Sequence, residues 1–433
     1  MVSIKEGYAV HTELLTYIEE HKERLFDLLC ELIRIPTEND GTRGAETPLA
    51  EYLQQLFAHA GVDSELYCPA DLPEAVHHPD YHHGRNMDGR CNITACLPGT
   101  QGGHSLMLAA HLDTVPVGDE TLWTVPPLTG VRRDGRIYGR GANDDKHALA
   151  IMVFLAEAMK ELGIRLNHDL YFTGYVDEEF GGGNGALAAC VKYPCDFYVN
   201  MDCQDLQIWN CATGGQRLAI CLKHPQPQNS CEKVLDGLIL CKGHIDDFGQ
   251  RRKAELAANP LYQGSDIPGD ALRYMAIGSG LNTNDKHKGL IDFAFYTDRS
   301  REEIQAELDA LFDRIRRDIA PLGLELERVI YRSRFFRYGF TPVSHPEILR
   351  LQRTCRHSVN REATVAPSCL SDLSLFLSCA PGRAVSFGGG RDFTVPGGAH
   401  LPDEFMECEE LVTLAKAMAE YILDWDEDHA ETV

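Results

Sequence analysis

The sequence predicts an α/β fold: a mainly parallel sheet covered by helices, into which a smaller α+β domain is inserted. Three observations lead there. Between residues 92 and 201 short apolar runs alternate with helix-period segments, the texture of strands buried on both faces. That texture breaks after Gly214 and Gly215 and returns near residue 345. The 433 residues also exceed what one core ordinarily holds.

The elements follow in order. Leu15, Ile18, Leu25, Leu29 and Leu32 lay a helical stripe over 12–34, ended by Pro36. Residues 48–59 predict a second helix, stopped by Gly61. Residues 70–91, rich in Pro, Asp and His, predict a solvated loop. Its histidines 77, 78, 82 and 83 show no fixed spacing to carboxylates. Strands are expected at 92–97, 105–110, 169–176 and 197–201, and a buried helix at 148–162. In the inserted block, 216–223 and 289–297 read as strands. Ile304, Leu308, Leu311, Phe312, Ile315 and Ile319 stripe one helix there. A helix over 409–424 closes the chain. The expected domains are therefore 1–212 with 328–433, and an inserted 213–327.

Composition excludes some partners. A formal net charge of −24 repels phosphate backbones and anionic lipid, which argues against nucleic acid and membrane. The N-terminus lacks a basic-then-apolar signal, and no apolar run approaches the roughly 18 residues of a membrane span. The fifteen cysteines form no C-x-x-C pair, and reduced thiols in a cytoplasmic protein are expected.

The chemistry begins in SLMLAAHLDTVPVGD. An apolar strand ends in His111 and Asp113, which face the same way because they are two residues apart. Strand ends are where open α/β sheets bind ligands, and a metal-bound histidine commonly hands its other N–H to a carboxylate. Two further segments add acids: GRGANDDKHALA carries Asp144 and Asp145 just before a helix, and VDEEFGGGNG stacks Glu178 and Glu179 against glycines. Asp202 follows another strand, and His400 lies in GGAHLPDE. Like charges so crowded call for cations. Imidazole and carboxylate ligands suit zinc, and less selectively cobalt or manganese.

The set HLDTVP, GRGANDDK, DEEFGGGNG, NMD and GGAHLPDE resembles the co-catalytic dizinc amidohydrolases: acetylornithine deacetylase, succinyl-diaminopimelate desuccinylase, aminoacylase, glutamate carboxypeptidase and related dipeptidases. The resemblance implies a zinc-exopeptidase-like catalytic domain with a lid and dimerisation domain. It implies two Zn²⁺ ions, with Co²⁺ or Mn²⁺ as substitutes. His111 and Asp202 would hold one ion and Glu179 and His400 the other, bridged by Asp144. Asp113 would support His111, and Glu178 would be the general base. The implied reaction is hydrolysis of an amide or peptide bond in a small carboxylate-bearing substrate, an N-acyl amino acid or a dipeptide. Alternatives are a dipeptidase of the same family and a non-catalytic metal-binding homologue.

The lid assignments rest on the same resemblance. His224 would stabilise the oxyanion across a homodimer, although the residues around it depart from the family pattern. Arg299 would grip the substrate carboxylate. Asn282 and Asn284 are both candidates for a substrate-contacting asparagine. Gly389, among three glycines ahead of His400, would let backbone approach the substrate.

Overall fold

The computed structural model describes residues 4–226, 230–279 and 286–430, with side chains from residue 9 to 427 within those limits. The chain divides into two units. One comprises Met1–Asn210, Phe340–Val365 and Leu375–Val433, and the other Cys211–Gly339 and Ala366–Ser374. The strand Glu325–Tyr331 pairs with Gly214–Lys223, so the second unit runs past the expected end at 327.

In the first unit the apolar runs become neighbouring strands. Seven strands of a nine-stranded sheet lie in the order Asp63–Tyr67, Asn92–Leu97, Asp169–Tyr175, Ser105–His111, Phe197–Asn200, Ala384–Phe387 and Ile208–Ala212. The four central strands are mutually parallel and the flanking pairs antiparallel. Helix Lys146–Glu161 is buried along nearly its whole length, as an apolar segment without a polar face requires. Ile151 and Leu155 from it share one core with Leu29, Leu108 and Leu414, all without solvent exposure. Each such side chain contributes roughly 1.5–3 kcal/mol by leaving water. The expected helix over 12–34 is two helices, Ile4–Glu20 and Lys22–Ile33, because His21 leaves helical geometry at φ −110°, ψ 15°.

The second unit is a four-stranded antiparallel sheet in the order Leu272–Ser279, Lys288–Thr297, Gly214–Lys223 and Glu325–Tyr331. Helices Cys231–Ala258 and Arg301–Ile319 pack on one face of it. All six apolar positions of the predicted stripe, Ile304 to Ile319, are buried against Leu218, Ile220, Phe293 and Phe295. Ser300 and Glu303 close a reciprocal capping box at that helix start.

One cysteine expectation is corrected: Cys68 and Cys91 form a disulfide. They follow the antiparallel register Tyr67↔Asn92 by one step, a cross-strand proximity that no sequence spacing announces. The other thirteen cysteines form no disulfide. Among the described residues no helix is long and apolar enough to cross a membrane.

Candidate metal centre

Parallel register brings the site together. His111 ends its strand opposite Tyr175, so the acidic turn 177–179 leaves the sheet at the same edge. Ala109 pairs with Asn200, which delivers Asp202 to that edge too. Asp144 comes from the loop before helix Lys146–Glu161. Gly141 (φ 85°) lets this loop close, since a Cβ there would sit 2.8 Å from Thr114 Cγ2. Lys146 pulls the loop inward, donating to the carbonyls of Leu32 (3.1 Å) and Ile35 (2.7 Å).

Two groups that could hold a metal ion result among the described residues: His111, Asp144 and Asp202, and Asp144, Glu179 and His400. Within each group the donor atoms lie within 4.8 Å of one another. Asp144 serves both. Its Oδ1 lies 2.6 Å from His111 Nε2 and its Oδ2 3.1 Å from His400 Nε2. His400 Nε2 is also 3.1 Å from Glu179 Oε1. The His111 side chain is 1% exposed and that of His400 44%, so the second group opens to solvent at His400.

The electrostatics fit positive ions. Burial disfavours a charged His111, yet the carboxylates of Asp144, Glu178 and Asp145 hold its pKa well above the usual imidazole value. Burial likewise opposes charge on His400, but Glu179 and Asp144 push it up to about 11. Burial, reinforced by Asp202 and Asp144, holds the Asp145 carboxyl high against the pull of His111. The pocket therefore carries more negative charge than its own residues balance, and a shared carboxylate between two His-carboxylate groups fits a pair of divalent cations.

The partners of Asp113 differ from expectation. His111 Nδ1 makes its 2.8 Å bond to the main-chain oxygen of Asp113, while the Asp113 carboxylate lies 3.7 Å from that nitrogen. The carboxylate instead accepts from the main-chain N–H groups of Glu178 (3.1 Å) and Glu179 (3.0 Å) and from Asn39 Nδ2 (2.8 Å). A strand-end carbonyl with no onward ladder is free to take the imidazole N–H, and the carboxylate serves the neighbouring turn.

Sequence reasoning missed the residues that hold these side chains in place. Glu404 is fully buried, and its Oε1 accepts from the main-chain N–H groups of Asn143 (2.8 Å) and Asp144 (3.2 Å). Its Oε2 accepts from Arg140 Nη1 (2.6 Å), while Arg140 Nη2 donates to the His400 carbonyl (3.2 Å). The segment expected to be a solvated loop sends Arg85 and Arg90 into Asp177. A cation-bearing loop beside an acidic turn was the only available signal, and spacing alone could not pair them.

Gly389 points its Cα at Met406 and Leu414, so a Cβ there would crowd the core. In the second unit, His224 is 7% exposed, with Nδ1 2.8 Å from the Gln226 carbonyl. Arg299 donates to Glu255 at 2.7 Å in a cleft shared with Arg251, Arg252, Glu307 and Arg314. Asn282 and Asn284 lie outside the described residues.

The chain belongs to the peptidase family M20/M25/M40, which matches residues 107–424. It is 28% identical over 197 residues to an N-formyl-4-amino-5-aminomethyl-2-methylpyrimidine deformylase of Bacillus subtilis, a match spanning 44% of this chain and only 41% of that relative. It is 25% identical to a succinyl-diaminopimelate desuccinylase of Psychrobacter arcticus, over 92% of this chain and 93% of that one. A di-peptidase of Saccharomyces cerevisiae has a similar fold, with a TM-score of 0.73 at 15% identity over 96% of this chain and 98% of that one.

Proposed function

We propose that this protein hydrolyses an amide or peptide bond in a small carboxylate-bearing substrate, as an N-acyl amino acid deacylase or carboxypeptidase with two zinc ions. The observation that carries the reading is Asp144, shared between two groups that each add a histidine and a carboxylate. His111, Asp144 and Asp202 would hold one ion, and Asp144, Glu179 and His400 the other. When bound, such a pair lowers the pKa of water towards about 7 and polarises a carbonyl. Glu178, half-buried on the turn beside Glu179, would take the proton from the attacking water and return it to the leaving nitrogen. His224 is proposed as an oxyanion donor, Arg299 as the grip on the substrate carboxylate, and Gly389 and the asparagines at 282 and 284 as substrate contacts.

A homodimer through the second unit is supported by its uncovered apolar surface. Leu235 (47%) and Ile239 (69%) are exposed on helix Cys231–Ala258, as are Met275 (47%) and Ile277 (43%) on the edge strand Leu272–Ser279. An exposed apolar edge strand invites pairing with a second copy. A cytoplasmic location is supported by thirteen cysteines that form no disulfide; the Cys68–Cys91 bridge favours an oxidising compartment instead, and cell fractionation decides between them.

Amine release from a panel of N-acyl amino acids and dipeptides, with zinc, cobalt or manganese supplied, tests the activity. Turnover is expected with at least one member, and Glu178→Gln should lower it at least about 10²-fold. A protein that binds cations but hydrolyses nothing in the panel would be a non-catalytic homologue.

A further inference from the structure

Glu178 is flanked on both sides by one guanidinium. Arg85, whose side chain is 5% exposed, donates from Nε (2.9 Å) and Nη2 (2.8 Å) to Asp177 Oδ1. The same Nη2 donates to the main-chain oxygen of Glu179 at 3.0 Å, and Nη1 to the carbonyl of Gly41 at 2.6 Å. The residue before Glu178 is thus held by its side chain and the residue after it by its backbone.

The turn needs holding. Asp177 and Phe180 both adopt left-handed backbone, at φ 68° and 60°, which L-residues with side chains disfavour. Arg90 adds a second guanidinium on Asp177 Oδ1 at 3.0 Å and is anchored in turn by Glu46. Asp113 secures the opposite side through the N–H groups of Glu178 and Glu179.

We propose that Arg85 is a positioning residue for the general base: it fixes the carboxylate of Glu178 by locking both of its neighbours, without touching substrate. The inference rests on the role proposed above for Glu178. The bonds run from one planar fork to three separate residues, a geometry that a lysine ammonium cannot reproduce. Small displacements of a catalytic group are expensive, since a 1 Å shift can cost about 10²-fold in rate.

The test measures amine release and bound cations in Arg85→Gln and Arg85→Lys. Both should lose about 10–100-fold in kcat, with KM within about threefold of the starting protein because substrate binding is left intact. Cation content should be unchanged, and added methylguanidinium should restore part of the kcat of Arg85→Gln. If Arg85→Gln folds poorly, Arg85→Lys, which keeps the charge, carries the same comparison. An unchanged kcat would overturn the proposal. So would a kcat loss matched by lost cations and untouched by methylguanidinium, which is the pattern of a purely structural arginine. An unsubstituted protein inert on the whole panel would instead remove the role of Glu178, and this inference with it.

Discussion

Asp113 and Glu178 are joined through the main chain: Asp113 Oδ1 accepts the Glu178 N–H at 3.1 Å. The carbonyl oxygen of the same residue takes His111 Nδ1. One residue therefore orients the proposed ligand His111 with its backbone and the proposed base Glu178 with its side chain. Asp113→Ala should lower amine release about 10–100-fold while leaving tight cation binding in place. An equal loss of cation affinity would mean that the carboxylate also governs a proposed ligand, either His111 or Glu179, whose N–H it accepts. Titration of the variant with zinc, followed by calorimetry, separates the two.

Glu404 should control the shared ligand. It holds the Asp144 backbone, and through Arg140 it reaches the His400 carbonyl. Glu404→Ala leaves a buried guanidinium unpaired, so a destabilisation of about 3–5 kcal/mol is expected in chemical denaturation. Cation affinity should fall about 10–100-fold as well, and Glu404→Asp should recover part of each.

His345 links stability to pH. It caps helix Pro346–Val359, its Nδ1 accepting the Glu347 N–H at 3.2 Å, a role open only to the neutral ring. Burial lowers its pKa below the ordinary 6.5, with Glu347 pulling weakly the other way. Between the folded and unfolded values the unfolded chain binds more protons. The cap's contribution is therefore present above pH 6.5 and lost as pH falls through the folded value. His345→Ala should cost about 1 kcal/mol near pH 8, and this gap should shrink at acidic pH. Melting curves of both proteins at the two pH values check it.

The proposed dimer has a simple test. Ile239→Glu and Ile277→Glu each place a charge on the exposed apolar surface of the second unit. A solution mass of one chain for the double variant and two for the starting protein is expected. A monomer in both cases would remove the dimer.

Much of this was legible in the sequence, for identifiable reasons. The strand ending at His111 and the buried helix after Asp145 were written in apolar period, and the proposed ligands His111 and Asp144 sit at the end of the one and in the loop before the other. The stripe from Ile304 to Ile319 likewise gave its helix directly. What stayed hidden depends on long-range pairing. Glu404 is distant in sequence from Asp144, and Arg85 from Asp177, and nothing local marks either partner. The strands Asp63–Tyr67 and Leu272–Ser279 are edge strands of mixed polarity, so neither shows a clean alternation. The Cys68–Cys91 bridge follows from a register that only the folded sheet sets.

Counting bound cations tests the central claim most directly. Elemental analysis of the purified protein after equilibration with zinc should find about two ions per chain, the stoichiometry of a shared-carboxylate pair. Asp144→Ala should lose both, whereas His400→Ala should keep the ion of the His111 group. No tight uptake by the starting protein, or full occupancy in Asp144→Ala, would contradict it.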